Sequence, residues 1–261
     1  MRSFRKKIFT TIILLLILIT TQIQALPSIA ELLAAIDEQE ELGSDLTAKS
    51  IITQQRVDQG VKVMESIYYR RDSDDAFLIV MTAPDSDKGD GYLRVGDNMW
   101  LYLRDTRTFQ HMNRNERIGG SNVSAGDMES KKYAELYEAA LDLNGNEIIT
   151  ETTIGDAEIP VYCFEIKATD SDVKYPKQVI WVTREDHLVL KVDSYSLSDT
   201  LMETSYYKNY TEIEGRYIPL WMMFIDRFED GNKTLVELTG ISLLPIPDDV
   251  FTKPYLENLS R

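Results

Sequence analysis

Apolar residues along this chain recur with the period of β-strands far more often than with that of helices. The first half predicts six short strands, at residues 46–57, 61–70, 76–83, 91–95, 98–103 and 108–113. The second half predicts seven more, at residues 147–154, 160–168, 177–183, 188–195, 204–210, 217–227 and 234–242. Many of the links are short and rich in Gly, Pro or Asp, as in Asp58-Gln59-Gly60, and such links join antiparallel neighbours. The pattern predicts a mainly β protein of the α+β class with one curved antiparallel sheet.

Two segments interrupt the strands. Residues 28–36 predict a helix, because Ser28 can cap it, Glu31 completes a capping box and the apolar residues fall on one face. Gly43 marks its expected end. The second segment is a long loop at 114–127, and the apolar spacing of residues 128–143 predicts a second helix after it. A loop of this length inside a compact domain is usually functional. Both helices are expected to pack against one face of the sheet.

The first 25 residues have the composition of a secretory signal peptide. Four basic residues at positions 2, 5, 6 and 7 precede an apolar run over 8–19, and Ala25 stands at the predicted cleavage point. We expect cleavage there, export to the periplasm and a single domain over residues 26–261. An uncleaved membrane anchor is the alternative. Because no cysteine stands near the cleavage point, acylation as a lipoprotein is excluded.

The charge of the chain excludes one class of partner. The sequence has 28 Lys and Arg against 43 Asp and Glu, a net charge of −15. Removal of the four basic residues of the signal segment leaves 24 against 43, a net charge of −19. Nucleic-acid binding needs a positive surface, so we expect no nucleic-acid partner.

The motifs of common enzymes do not occur in the sequence. Ser121 and Ser124 each lack one glycine of a nucleophile elbow, and His111 and His187 belong to no metal-binding pair. The acidic turn at 85–90 departs from the spacing of a calcium loop, and a lone cysteine forms neither an intrachain disulfide nor a thiolate cluster. We therefore expect no catalytic residues, no metal and no cofactor.

Three strands are apolar on both alternations, at residues 76–81, 99–103 and 220–225. Both faces of the sheet should therefore be covered by other parts of the chain there, or line a cavity. One interpretation is an ordinary core. The other is a hydrophobic cavity between sheet and helices, in which flexible methionines adapt to an apolar ligand. Periodicity alone does not decide between them.

Two stretches resemble a known family. Residues 84–89, followed by 91–103 with Leu93-Arg94, Gly96 and Met99-Trp100-Leu101-Tyr102-Leu103, are similar to the outer-membrane lipoprotein-sorting proteins of the LolA-like superfamily. The ending Pro247-Asp248-Asp249-Val250-Phe251-Thr252 is similar to that family's C-terminal segment. The order of elements matches over essentially the whole chain after the signal segment.

The resemblance implies a half-barrel, an unclosed curved sheet with helices on its concave face and a cavity that accepts acyl chains. Taking one alternation on each strand, we expect the following residues to line it: Phe77, Ile79, Met81, Met99, Leu101, Trp181, Met222 and Phe224. An error of one residue in a strand's face would misplace every choice on that strand. By the same resemblance, Arg70 or Arg71 would latch a lid formed by residues 114–127 and the helix after them.

The function implied by the resemblance is a monomeric periplasmic carrier that sequesters acyl chains for transfer toward the outer membrane. Its ligand would be a lipid or an acylated lipoprotein, exchanged with inner- and outer-membrane partners. Two alternatives stay open: a cell-envelope adaptor that works through protein contacts alone, and an envelope hydrolase.

Overall fold

A computed structural model describes residues 26–128, 132–169 and 173–259; the predicted signal peptide lies outside the described residues. One antiparallel sheet of fourteen strands dominates it. Its strands are β1 (Leu46–Arg56), β2 (Gly60–Arg71), β3 (Ala76–Ala83), β4 (Gly91–Val95), β5 (Asn98–Leu103), β6 (Thr108–His111), β7 (Tyr137–Ala139), β8 (Ile149–Ile154), β9 (Ile159–Ala168), β10 (Lys177–Thr183), β11 (Val189–Tyr195), β12 (Leu201–Ile213), β13 (Arg216–Asp226) and β14 (Lys233–Ser242).

The strand order runs from β6 through β5, β4, β3, β2 and β1 to β14, and then from β13 down to β9 and β7, with β8 also paired to β9. The sheet does not close on itself, which confirms the predicted unclosed, curved antiparallel sheet. Its middle is the pairing of β1 with β14, in which Thr47 lies opposite Ser242 and Gln55 opposite Lys233. The first and last strands thus join two halves of the sheet, each built from sequential neighbours.

The N-terminal helix packs on the concave face of the β9–β13 half. Helix α1 (Ile29–Glu40) has the predicted capping box between Ser28 and Glu31, and it ends three residues before Gly43. Its apolar stripe is buried against strand residues such as Phe164 and Ile180. The sheet and this helix form the β9–β13 part of the core because both present their apolar side to the other.

The predicted helix over residues 128–143 is wrong. Among the described residues 132–143, only α2 (Tyr133–Leu136) is helical. Tyr137 begins β7, which pairs with β9 from Tyr137 opposite Ala168 to Ala139 opposite Ile166. The carboxylate of Asp37 on α1 accepts hydrogen bonds from the backbone N–H groups of Tyr133 and Ala134, at 2.7 and 2.8 Å. Pairing at the sheet edge satisfies backbone groups that a continued helix would have bonded internally, and tertiary context outweighs the helical spacing.

Strand β3 is buried on both faces, as its continuous apolar sequence predicts. Phe77, Ile79 and Met81 belong to the concave core. Ala76, Leu78 and Val80 face the opposite side, under the C-terminal segment. That segment comprises Ile246, a 3₁₀ turn at Asp248–Phe251 and helix α3 (Lys253–Leu259). Strand β3 is therefore an interior layer with chain on both sides.

Glycine at position 91 allows this close packing. A Cβ atom there would lie 2.5 Å from a methyl carbon of Leu256 on α3 and 3.0 Å from the carbonyl oxygen of Ile79. The helix can therefore approach β4 only because residue 91 has no side chain.

Candidate functional site

An apolar cavity lies between the concave face of the sheet and the C-terminal part of α1. It encloses about 840 Å³, counting the space open to solvent at its mouth. Most of its wall is aliphatic or tyrosine side chains: Ile36, Leu42, Leu46, Tyr68, Leu188, Val189, Tyr207, Tyr210, Tyr217, Ile218, Pro219, Met222 and Leu238. A concave site with this lining is suited to an apolar or amphipathic small ligand.

The segment over residues 114–128, called here the covering segment, lies across the concave face of the β1–β5 half. Ile118 and Val123 are completely buried in the concave core. Gln54 and Arg56 both donate to the carbonyl oxygen of Gly120, at 2.8 and 2.6 Å. These contacts hold the predicted lid region closed against the sheet.

Further bonds anchor the covering segment at three places. The N–H of Gly119 donates to the Tyr92 hydroxyl at 2.7 Å, and the N–H of Asn122 donates to Thr234 at 3.0 Å. At the end of the segment, the Tyr68 hydroxyl donates to the carbonyl oxygen of Met128 at 2.6 Å. The anchors fall on β4, β14 and β2, so the covering segment spans both sides of the central β1–β14 pairing.

The structure brings together seven of the eight residues predicted to line a cavity. Five are buried in the concave core, and two pack against it half-buried; the seven are Phe77, Ile79, Met81, Met99, Leu101, Met222 and Phe224. Of these, Met222 lines the apolar cavity. The residues on β3 and β5 share their core with Ile118 and Val123 of the covering segment instead.

Trp181 lies on the other face of the sheet. Its neighbours in sequence, Ile180 and Val182, point into the concave core, and alternation along β10 turns Trp181 outward. There the ammonium of Lys191 lies 3.9 Å from the centre of its ring. The choice of face on this strand is therefore wrong by one residue.

The two candidate latch arginines point to different faces. Arg70 lines the apolar cavity and donates to the carbonyl oxygen of Glu40 at 2.7 Å and to Asp72 at 2.5 and 2.6 Å. Asp72 also accepts from the N–H of Leu42 at 2.7 Å, so this pair holds the end of α1.

Arg71 instead fastens the C-terminal segment. It makes two bonds of 2.9 Å to Asp45, one of 2.7 Å to Asp248 and one to the carbonyl oxygen of Ile246. Its guanidinium lies 4.9 Å from the centre of the Phe251 ring. This placement assigns Arg71 to the outer face, away from the predicted lid.

A charged cluster lies on the concave side near the end of the covering segment. The ammonium of Lys174 lies 3.3 Å from Asp127 and 3.4 Å from Glu203, and the Tyr175 hydroxyl donates to Glu203 at 3.1 Å. Burial raises the pKa of Glu203, and Lys174 opposes that shift. Burial alone would lower the pKa of Lys174, but the two carboxylates outweigh it and the pKa lies above its usual value. The cluster ties the covering segment to β12.

We expect the protein to lose stability steeply above pH 10. Burial raises the pKa of Tyr207, Tyr210 and Tyr133 well above the usual value of 10, and that of Lys174 is raised too. Above pH 10 the unfolded chain therefore releases protons that the folded protein keeps. Each such group lowers the free energy of unfolding by about 1.4 kcal/mol per pH unit.

Urea unfolding at pH 9, 10 and 11 measures this loss. Tyr207→Phe removes one of these groups, so the free energy of unfolding should fall less steeply above pH 10, by about 1.4 kcal/mol per pH unit. A free energy of unfolding that stays constant from pH 9 to pH 11 would show that these side chains are not buried as described.

The serines considered as nucleophiles make local bonds. The Ser121 hydroxyl accepts from the N–H of Val123 at 3.2 Å, and the Ser124 hydroxyl donates to Asp127 at 2.6 Å. His187, by contrast, lines the apolar cavity. The hydrogen bonds of Ser121 and Ser124 stabilise turns of the covering segment, and they lend no support to a hydrolase.

Several solved structures share this architecture. A LolA superfamily protein from Nitrosomonas europaea is 21% identical, with a TM-score of 0.72 over 88% of this chain and 100% of its own. A domain from Vibrio parahaemolyticus, described as an outer membrane lipoprotein-sorting protein domain, is 18% identical, with a TM-score of 0.75 over 87% of this chain and 97% of its own. A DUF1329 family protein from Desulfovibrio piger is 20% identical, with a TM-score of 0.74 and the same two coverages.

These likenesses define the class: the protein has the LolA-like fold, which confirms the resemblance found in residues 84–103 and 247–252. A family model with the description "Uncharacterized protein" matches residues 73–258, more than half of the chain, and the chain belongs to that family. Among curated proteins, none matches significantly. No helix in the described parts of the chain is long and apolar enough to cross a membrane.

Proposed function

We propose that this protein is a periplasmic carrier that sequesters the acyl chains of lipids or lipoproteins for transfer toward the outer membrane. The observation that carries the proposal is the apolar cavity on the concave face, bounded by α1 and by tyrosine and aliphatic side chains of β12 and β13. Burial stabilises an acyl chain by about 0.8 kcal/mol per methylene, so a cavity that covers ten of them competes with a bilayer.

In this proposal the covering segment is the lid. It lies on Phe77, Met99 and the other predicted lining residues of the β1–β5 half, so its departure would extend the apolar cavity along the concave face. Arg70 is the latch of α1, because it holds the helix end through the carbonyl oxygen of Glu40. Release of the ligand then requires movement of the covering segment or of α1, or an acceptor with higher affinity for the ligand.

The acidic surface supports a soluble shuttle. With a net charge of −15, or −19 without the signal segment, the protein is repelled by anionic lipid surfaces and does not remain on them. Such a carrier exchanges its ligand during brief encounters with membrane-bound partners.

A protein-contact adaptor is the second candidate. It is favoured by the filled interior of the β1–β5 half, where Ile118 and Val123 of the chain itself occupy the concave face. An adaptor would keep this arrangement at all times and take up no lipid.

Purification from the periplasm followed by native mass spectrometry separates the two. The carrier should retain a lipid or bind a fluorescent fatty acid in stoichiometric amount, with displacement by unlabelled fatty acid. Absence of both retained lipid and fatty-acid uptake would refute the carrier and leave the adaptor.

A further inference from the structure

A second, polar cavity lies beside the apolar cavity on the concave side. It is bounded by the covering segment, α2, residues 173–175 and β10, and it encloses about 650 Å³ including the space open to solvent. Ser124, Asp127, Tyr137, Lys174 and Gln178 contribute to its wall. Whereas the apolar cavity is walled mainly by carbon, this one presents hydroxyl, amide and charged groups.

Gln178 is the residue of this wall whose bonding is incomplete. It is only 8% exposed, and its amide nitrogen donates to the hydroxyl of Ser194 at 3.1 Å. Its amide oxygen is buried and accepts no hydrogen bond from any residue that the structure describes. A buried acceptor without a donor is costly, so native proteins usually supply one. Gln178 is part of the cavity wall, so a rotation of its side chain would bring this oxygen to the donor of a bound molecule.

Asp127 lines both cavities. The concave face therefore offers an apolar space and a polar space that meet at one residue. This is the division found in an amphipathic lipid, with acyl chains at one end and a headgroup at the other.

We infer that the polar cavity binds the headgroup of the lipid whose chains occupy the apolar cavity, and that the headgroup donates an N–H or O–H hydrogen bond to the amide oxygen of Gln178. The inference rests on the proposed carrier function and adds the class of headgroup to it. A headgroup without N–H or O–H leaves this acceptor unpaired.

The charges around the polar cavity favour a headgroup with no net charge. The ammonium of Lys174 is already shared between Asp127 and Glu203. Arg114 and Lys132 also line the cavity, and the ammonium of Lys132 contacts Asp75 at 3.3 Å. Three cations therefore stand beside three carboxylates, Asp127, Glu203 and Asp75, and this balance suits a zwitterionic headgroup better than an anionic one.

Two phospholipids with identical acyl chains provide a matched test. Phosphatidylethanolamine and phosphatidylcholine are both zwitterionic, but only the ethanolamine headgroup carries N–H donors. The purified protein is incubated with vesicles that contain equal amounts of both, reisolated, and its bound lipid is quantified by mass spectrometry. The wild-type protein should retain about five to ten times more of the ethanolamine lipid, the difference expected for one buried hydrogen bond.

Substitutions at Gln178 locate the origin of that preference. Gln178→Leu removes the acceptor at similar volume and should bring the ratio close to one without reducing total bound lipid. Gln178→Glu keeps an acceptor and should preserve the preference. Thermal unfolding of each variant verifies its fold, and the wild-type ratio stands as a test by itself if a variant fails to fold.

The outcomes are distinguishable. Equal retention of both lipids by the wild-type protein would overturn the headgroup inference and leave the carrier function intact. A preference that persists in Gln178→Leu would also overturn it. Retention of neither lipid would refute the carrier function, and the headgroup inference would fall with it.

Discussion

Replacing Met222 with aspartate is expected to abolish fatty-acid binding, with an affinity at least about 100-fold lower than that of the wild-type protein. Met222 lines the apolar cavity from β13 and is only half-buried, so the carboxylate can be accommodated in the empty protein. A bound acyl chain would remove that carboxylate from water, at a cost of several kcal/mol. Titration with a fluorescent fatty acid measures the loss.

Met223→Asp is the matched control. Met223 is the next residue on the same strand and is also half-buried, but alternation places it on the outer face. This variant should bind fatty acid with wild-type affinity. If both variants bind fatty acid with wild-type affinity, the ligand does not contact the β13 wall. If both lose affinity equally, disturbance of the strand itself accounts for the effect.

Replacing Arg71 with methionine is expected to lower the free energy of unfolding by about 3 kcal/mol or more. The guanidinium joins Asp45, beside β1, to Asp248 and the carbonyl oxygen of Ile246 in the C-terminal segment. Without it, Asp45 keeps its bond from the N–H of Ile246 but loses the paired cation that lowers its pKa. Urea unfolding measures the difference.

Asp248→Asn is the control for this substitution. The Asp248 side chain is 96% exposed although it bonds to Arg71, and exposed ion pairs contribute less than about 1 kcal/mol. Hydrogen exchange should show faster opening of the outer face of β3 in Arg71→Met and little change in Asp248→Asn. A stability of Arg71→Met close to that of the wild-type protein would show that the C-terminal segment is held by its apolar contacts alone.

The sequence predicts the sheet well because strand signals and turn residues agree. The continuous apolar run over β3 predicts burial on both faces, and the structure places chain on both sides of it. Residues 133–140 are the instructive failure. Tyr133, Leu136, Tyr137 and Ala140 keep a helical spacing, but the short strand Tyr137–Ala139 completes an edge beside β9. Propensity over so few residues cannot foresee a long-range pairing.

The candidate site is less accessible to sequence reasoning. Met222 is one of the lining residues of the apolar cavity, but tyrosines such as Tyr207 and Tyr217 form much of its wall. Tyrosine fits a buried or an exposed position equally well, so its presence in a strand gives no signal of a cavity. Trp181 and Gln178 illustrate the same limit. A one-residue error in the face assigned to a strand exchanges its core positions for its outer ones. Strand β10 carries no charged residue between Gln178 and Val182 that would mark its outer face in the sequence.

The pairing of β1 with β14 has a consequence for how the protein acquires its structure. The two halves of the sheet consist mostly of hairpins between neighbours in sequence, which close quickly. Joining Thr47 to Ser242, however, closes a loop of almost the whole domain, and non-local pairings of this kind are slow. Until β14 arrives, β1 and β13 are open strand edges able to pair with another chain. The centre of the finished sheet is thus where the folding chain is most exposed to aggregation.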